Sequence, residues 1–314
     1  MPAWTLTTPP VPESLGRRRR EANLLWYRPS RIMAAKTAAG MVGAIRYALR
    51  DDPDRNEGLI TDLVVEQPYW NAGLPAALIE AAEQALRADR VEKIDAVVQD
   101  GQKLSESFHA AGYWPFRKTV VLEWDLTRLK DIPASGDFAV ELVDQIDREE
   151  IADFVFQSYQ PYWRWWKETD EDKPIGRAEY PVDEPKPILE KVKRRNWARV
   201  VKRLREFNAV TPQRMVIARQ GRKIIGLCDV KADPEESMDW GVLISRDVGG
   251  RAVGSALLGP ALGWLREQGV QTAQVTTTSG LDDYDPVVYL YVLVSGAQIR
   301  GEFLVLRKHL RAVP

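Results

Sequence analysis

The chain has few of the residue types that support metal, disulfide or histidine-dependent chemistry. Among its 314 residues there are one cysteine, Cys228, and two histidines, His109 and His309. A single cysteine excludes an intrachain disulfide and is typical of the reducing cytoplasm. Two histidines argue against a histidine-rich metal site and against a Ser-His-Asp triad. We therefore expect a cytoplasmic protein that uses no metal.

The chain also lacks long apolar runs and an excess of either charge. Its longest apolar run, Val287 to Val294, is much shorter than the roughly 20 residues that span a bilayer. The arginine run Arg17 to Arg20 has no apolar segment behind it, so we expect no signal peptide. The formal net charge is −1, which gives no overall attraction to nucleic acid or to an anionic membrane. We expect neither as a partner.

A glycine-rich turn precedes an amphipathic helix in the second half of the chain. An apolar strand ends near Ile244, Gly249 and Gly250 follow, and Gly254 lies in the first turn of the helix. The first amides of a helix have no intrahelical partner, and small residues allow a ligand to approach them. Such a turn suits a pyrophosphate. The same turn also serves as a plain connection in many α/β proteins.

The chain repeats itself with a constant offset of 179 residues. Leu63 to Ile79 aligns with Val242 to Leu258, and the alignment continues without a gap to the strand that ends at Val98. Beyond Val98 the second copy is longer, and Gly112 corresponds to Gly296. A repeat of this length indicates two related domains and not a solenoid.

Hydrophobic periodicity and turn residues predict strands and helices in both halves, and with the repeat they indicate an α/β fold with two tandem domains. Residues 1–29 are predicted as a lead-in segment, 30–130 as the first domain and 137–314 as the second. The linker at 131–136 contains Pro133 and Gly136, both typical of a boundary. A segment without a counterpart in the first half, 161–212, is predicted as an insertion in the second domain.

The order of the predicted elements and the glycine turn resemble the GNAT acyltransferase superfamily, present here in tandem. The family motif at the start of the long helix reads Arg/Gln-x-x-Gly-x-Gly/Ala. In the second copy Gly249 stands at the Arg/Gln position, Ala252 at the first glycine and Gly254 at the last small residue. In the first copy the motif falls on residues 70–75, with a tryptophan and a proline at its ends. The resemblance therefore implies that each domain is a mixed, mostly antiparallel sheet flanked by helices. It also implies a degenerate first domain and a catalytic second one.

The resemblance implies acetyl-CoA, or another acyl-CoA, as a co-substrate that lies against the splayed strand. Backbone amides near Leu243 or Ile244 would polarise the thioester carbonyl, and Arg251 would pair with a phosphate. The implied cofactor-binding residues are Leu243, Ile244, Gly249, Gly250, Arg251, Ala252, Val253, Gly254 and Ser255. The implied function is N-acyl transfer, by direct attack, to an amine that the sequence does not identify, in a small molecule or a peptide.

A general acid is needed to protonate the departing thiolate. GNAT enzymes often use a tyrosine four positions before the glycine of the last helix–strand corner. Tyr291 stands five positions before Gly296, and Phe108 has the corresponding place in the first copy. Either one residue is inserted and Tyr291 is the acid, or Tyr291 is a core aromatic. The segment Val287 to Val294 also favours a strand by propensity.

A general base is needed to deprotonate the amine before attack. The carboxylates of Glu236 and Asp239, next to the splayed strand, are the expected candidates. Cys228 lies within an alternating strand and is interpreted as a buried small residue and not as a nucleophile.

Three interpretations stay open in the sequence. The aromatic cluster at 162–166 either lines an acceptor pocket or anchors the insertion. The basic helix predicted at 188–207 is a solvated face, a site for the CoA 3′-phosphate or a nucleic-acid contact. The whole protein is either an acyltransferase or a non-catalytic acyl-CoA sensor or scaffold. The oligomeric state, a homodimer included, is not readable from the sequence.

Overall fold

The computed structural model describes residues 4–8, 30–50, 57–99, 103–133, 136–159, 211–234, 237–238, 240–248, 251–282 and 284–310. The aromatic cluster and the basic helix predicted within the insertion lie outside these ranges. The chain divides into two compact units. Unit 1 comprises Met1–Thr119 and Glu302–Pro314, and unit 2 comprises Val120–Gly301.

Twelve strands and six helices are found within the described ranges. The strands are β1 (Thr5–Thr7), β2 (Arg31–Thr37), β3 (Gly40–Leu49), β4 (Glu57–Val65), β5 (Lys93–Gln99), β6 (Trp114–Asp125), β7 (Ala139–Val143), β8 (Gln213–Gln220), β9 (Lys223–Lys231), β10 (Val242–Ile244), β11 (Thr272–Ser279) and β12 (Gln298–His309). The helices are α1 (Gln67–Trp70), α2 (Leu74–Ala88), α3 (Lys103–Ala110), α4 (Arg148–Tyr159), α5 (Arg251–Glu267) and α6 (Pro286–Tyr289), and a π-helical turn, Leu290–Val294, follows α6. None of these helices is both long and apolar enough to cross a membrane.

Unit 1 is a mixed sheet with α2 on one face. Its strand order is β1-β2-β3-β4-β5-β12-β6; β4 and β5 are parallel, whereas β12 is antiparallel to β5. Along α2, Leu74, Leu78, Ala82 and Leu86 are fully buried, as expected for apolar residues that recur every fourth position on one helix face. This row closes the core of unit 1.

Unit 2 has helices on both faces of its sheet. The antiparallel strands follow the order β10-β9-β8-β7, and β11 lies next to β6. The apolar side of α5 packs on one face, with Leu257, Leu258 and Leu265 fully buried. Helix α4 packs on the other face through Ile151 and Val155. The predicted class, two tandem α/β domains with mostly antiparallel mixed sheets and flanking helices, is confirmed.

The internal repeat has a counterpart in the packing. A Cβ atom placed on Gly43 would lie 3.1 Å from the side chain of Leu74, and one on Gly226 would lie 2.8 Å from that of Val253. Both glycines lie on the second strand of a hairpin, and the contacted residues begin α2 and α5 at the predicted offset. Each helix therefore rests on its sheet at the same point, where the absence of a side chain permits close approach.

The compact units differ in extent from the predicted domains, whose linker was placed at 131–136. The boundary falls inside strands, at Thr119 in β6 and Glu302 in β12. Its cause is the pairing of β12 with β5, in which Val305 lies opposite Val97 and His309 opposite Lys93. Proline and glycine mark turns in the chain, but they carry no information on which strands pair.

Candidate active site

In each unit, two parallel strands pair over a short stretch and then separate. In unit 1 the pairing of β4 with β5 ends at Ile60 and Ala96, although β4 continues to Val65. In unit 2 a parallel bridge joins Met238 to Val275. Within the described strands, β10 then pairs with β9 alone. Backbone groups on the separated side have no ladder partner and require another one.

In unit 2, the hydroxyl of Tyr291 supplies that partner. The backbone N–H of Val242 donates to the Tyr291 hydroxyl oxygen over 2.9 Å. Tyr291 is 1% exposed, and its ring meets the ring of Trp124 edge to face at a centroid distance of 5.2 Å. A phenol and a backbone amide are thus held together at the point where β10 leaves its parallel neighbour.

The segment that carries Tyr291 is helical, in contrast to its strand propensity. Asp285 precedes α6 in an extended conformation, and Pro286 occupies the first turn, a position where its fixed φ angle favours a helix start. The π-helical turn Leu290–Val294 continues the helix. Burial of Val288, Leu290 and Tyr291 in the core of unit 2 outweighs the weak local preference of β-branched residues for a strand.

The π-helical turn accommodates one residue more than the corresponding corner of unit 1. The carbonyl of Phe108 accepts from the N–H of Tyr113, five residues later, over 3.0 Å. The carbonyl of Tyr291 accepts from the N–H of Ala297, six residues later, over 2.9 Å. Tyr291 and Phe108 therefore hold corresponding places, as the inserted-residue alternative requires. Its role as the acid stays a prediction.

Two features hold the backbone just before Val242. One carboxylate oxygen of Asp229 accepts the N–H of Trp240 over 2.9 Å and that of Gly241 over 3.0 Å. Gly241 has a φ of +66°, in the left-handed region that favours glycine. Sequence reasoning missed Asp229, Gly241 and the Val242 amide. A usable signal was present, because Asp229 is the one charged residue in the otherwise apolar run from Ile224 to Val230.

The predicted cofactor residues are placed as follows. Leu243 and Ile244 lie on β10 and are half-buried, and the amide that faces Tyr291 is that of Val242. Helix α5 begins at Arg251, with Ala252 exposed and Val253 and Ser255 buried. Gly249, Gly250, Glu236 and Asp239 lie outside the described residues.

Gly254 has a packing role in the structure. A Cβ atom at this position would lie 2.5 Å from Cδ2 of Leu290 and 3.3 Å from Cδ1 of Ile244. The space that a side chain at residue 254 would occupy is therefore filled by Leu290, which is 6% exposed. In the first copy the same motif position is Pro75, which is buried.

The corresponding turn of unit 1 is occupied by its own bulky residues. The indole N–H of Trp70 donates to the carbonyl oxygen of Val65 over 2.9 Å. This carbonyl lies on the part of β4 that has separated from β5, and Trp70 is its hydrogen-bond donor there. Gly73, with a φ of +83°, caps the start of α2. Phe108 has no proton to donate. The degenerate character of the first copy stays a prediction.

The thiol of Cys228 is enclosed in the core and cannot reach a substrate. It is fully buried in the core of unit 2, and burial, with a smaller contribution from the charge of Asp229, raises the pKa of the thiol well above its ordinary value. A protonated, enclosed thiol is a poor nucleophile. Among the described residues, no group of three or more His, Cys, Asp and Glu side chains could hold a metal ion.

Comparison with known proteins gives one sequence match and several similar folds. Residues 2–113 match the sequence profile of the Acetyltransferase (GNAT) family. The chain is also similar in fold to a GCN5-related N-acetyltransferase from Sphaerobacter thermophilus, with a TM-score of 0.60, 14% identity, and coverage of 88% of this chain and 80% of that one. No curated protein matches the chain in sequence.

Two further solved structures extend the likeness. A tandem GNAT protein from the clavulanic acid biosynthesis pathway has a TM-score of 0.59 and 14% identity, with 98% of each chain covered. A GCN5-related N-acetyltransferase from Kribbella flavida has a TM-score of 0.51 and 13% identity, with 85% of this chain and 87% of that one covered. Residues 2–113 thus resemble the GNAT family in sequence, and the whole chain has the fold of a tandem GNAT protein. This fold is associated with acyl-CoA-dependent N-acetyl transfer in general.

Proposed function

We propose that this protein is an acyl-CoA-dependent N-acyltransferase, with acetyl-CoA as the acyl donor, an amine as the acceptor and the chemistry located in the second domain. The observation that carries the proposal is the 2.9 Å hydrogen bond between the Val242 amide and the Tyr291 hydroxyl. Direct transfer needs both groups, one to stabilise the oxyanion and one to protonate the leaving thiolate.

The two groups fit these roles chemically. A hydroxyl both accepts and donates, so Tyr291 can exchange the Val242 amide for another partner without losing its own capacity to donate. The Val242 amide would then bind the thioester carbonyl oxygen, where charge develops during attack. Such a donor commonly lowers the barrier by about 3 kcal/mol. Glu236 or Asp239 would accept the proton of the amine, as the sequence predicts.

A titration of the purified full-length chain with acetyl-CoA tests the donor site. We expect one site per chain, located in the second domain. Gly254→Glu should abolish binding, because its side chain displaces Leu290 and brings a negative charge to the start of α5, whereas Pro75→Glu, at the equivalent position of the first domain, should leave it intact. Equal losses in both variants would contradict the assignment to the second domain.

Thiol release from acetyl-CoA tests the acid. Tyr291→Phe removes only the hydroxyl, and we expect turnover to fall by about 100-fold with little change in acetyl-CoA affinity. Tyr289→Phe is the matched control, because Tyr289 is half-buried against the ring of Tyr284 and should keep full turnover. Unchanged turnover in Tyr291→Phe would remove Tyr291 from the mechanism.

A second candidate function is a non-catalytic acyl-CoA sensor or scaffold. Two observations favour it: Leu290 fills the space beside Gly254, and Trp70 occupies the Val65 carbonyl in the first domain. This candidate predicts either acetyl-CoA binding without thiol release in the presence of any amine, or no binding at all. The same titration and thiol assay therefore separate the two functions.

A further inference from the structure

Three consecutive backbone amides in unit 2 donate to two side chains. The amides of Trp240 and Gly241 donate to one carboxylate oxygen of Asp229, over 2.9 and 3.0 Å, and that of Val242 donates to Tyr291 over 2.9 Å. Asp229 lies on β9, the amides of Trp240 and Gly241 lie just before β10, and the amide of Val242 begins that strand. A single carboxylate therefore fixes the two peptide units that lead directly into the Val242 amide.

In unit 1 the residue that corresponds to Asp229 is positively charged. Leu63 and Val242 are equivalent in the 179-residue alignment. Ile45 lies opposite Leu63, and Cys228 lies opposite Val242. The residues that follow these two partners, Arg46 and Asp229, therefore correspond. The Arg46 guanidinium donates to side chains, over 3.0 Å to the Thr61 hydroxyl and 2.6 Å to the Asp62 carboxylate. At this point of unit 1 the charged side chain bonds to other side chains, whereas in unit 2 it bonds to backbone amides.

The backbone conformation differs accordingly. Gly241 has a positive φ, whereas Asp62, its equivalent in the 179-residue alignment, is not among the described residues with positive φ. A positive φ departs from the extended backbone of a strand, and the carboxylate of Asp229 accepts the N–H groups of Trp240 and Gly241 where this departure occurs. In unit 2 a carboxylate therefore fixes the backbone at the separation point.

We propose that Asp229 is a positioning residue of the acyl-transfer site: by fixing the Trp240 and Gly241 amides, it aims the Val242 amide at the reacting carbonyl. This inference rests on the proposed function. Its physical basis is preorganisation, since a donor that is already held in place loses nothing to reorientation when charge develops on the oxyanion.

The variants Asp229→Ala and Asp229→Asn test the proposal, with Asp62→Asn as the control at the equivalent separation point of unit 1. Asparagine keeps an acceptor oxygen for both amides, and alanine does not. We expect Asp229→Ala to lower the turnover of thiol release from acetyl-CoA by about tenfold or more at unchanged KM. We expect Asp229→Asn to stay within about twofold of the parent chain, and Asp62→Asn to have no effect.

The nitrogen and proton resonances of the Val242 amide give a readout that does not depend on activity. We expect them to shift in Asp229→Ala and to stay in place in Asp229→Asn. An unshifted resonance in Asp229→Ala would overturn the proposal. So would an equal loss of turnover in both variants, since that result would assign Asp229 a role that requires its charge. If the parent chain releases no thiol, the proposed function fails, and the resonance alone decides whether Asp229 fixes the amide.

Discussion

Gly241 lies directly against the hydroxyl of Tyr291. A Cβ atom added to Gly241 would overlap the hydroxyl oxygen and would lie 3.5 Å from Cζ of the same ring. The φ of Gly241 is +66°, so the position excludes other residues for two independent reasons, backbone strain and overlap with the phenol. The glycine and the tyrosine are separated by 50 positions in the chain, yet each restricts the space that is available to the other.

The pair can be tested by substitution at Gly241. Gly241→Ala should lower the free energy of unfolding by about 2–3 kcal/mol, the sum of left-handed strain and overpacking. Gly221→Ala is the control, because Gly221 has a φ of +60° but no atom within 4 Å of the added Cβ, and it should cost only about 1 kcal/mol. Denaturant unfolding measures both, and equal costs would contradict the contact with Tyr291.

A double-mutant cycle separates the overlap from the strain. In a Tyr291→Phe background the clashing oxygen is absent, so Gly241→Ala should cost about 1 kcal/mol less than in the parent chain. Tyr291→Phe alone should lower the free energy of unfolding by about 1–3 kcal/mol, because it leaves the buried Val242 amide without an acceptor. Additive costs in the double variant would show that the two residues do not interact.

Two glycines of α5 should respond to alanine in opposite ways. Gly263 has no atom within 4 Å of an added Cβ, so Gly263→Ala should raise the free energy of unfolding by about 0.5–1 kcal/mol through helix propensity. Gly254→Ala would press on Leu290, 2.5 Å away, and should lose about 1–3 kcal/mol by overpacking. Thermal unfolding of the two variants is the measurement, and a stabilised Gly254→Ala would refute the packing role.

Arg90 is the one described residue other than glycine with a positive φ, at +62°. Its equivalent in the second copy is Gly269, with a φ of +80°, and the N–H of each donates to the carbonyl three residues earlier at the end of its helix. Arg90→Gly should therefore raise the free energy of unfolding by about 0.5–1 kcal/mol, by relief of left-handed strain. Gly269→Ala should lower it by a similar amount, and a destabilised Arg90→Gly would contradict this account.

The ion pair between Glu150 and Arg219 predicts a pH dependence. Arg219 donates to both oxygens of Glu150 over 2.6 and 2.8 Å, and these hydrogen bonds lower the pKa of Glu150 from its ordinary value of 4.5. The stabilisation is complete above pH 4.5 and is lost as the pH falls through the lowered pKa of the folded state. The Tm difference between Glu150→Gln and the parent chain should be present at pH 7 and vanish in acid. The difference for the exposed Glu149→Gln should be near zero at both pH values.

The sequence predicted much of the fold because its signals were local or repeated. The 179-residue offset located both long helices, since the residues that pack under them, such as Leu86 and Leu265, follow the helical period. The pairing of β12 with β5 was not predictable, because strand propensity does not specify a partner. The helix that carries Tyr291 was ambiguous for a related reason: Val287 to Val294 suits a strand, and burial decides its conformation.

The candidate site was predicted in part. Tyr291 followed from the family resemblance, and the region around Leu243 followed from the strand before the glycine turn, but the amide that faces the phenol belongs to Val242. Asp229 was missed because its role depends on a contact across a strand pair, with amides 11 and 12 residues away. Such a contact depends on register, which a single sequence states only weakly.

The place of β12 in unit 1 has a consequence for how the protein is made. The strand order β5-β12-β6 puts residues from the far end of the chain between two strands from its first half. During translation the pairings of β12 with β5 and β6 can therefore form only after β12 has left the ribosome. A gene fragment that ends at residue 130 would encode β5 and β6 without the strand that lies between them. Adding a peptide of residues 298–310 should supply that strand.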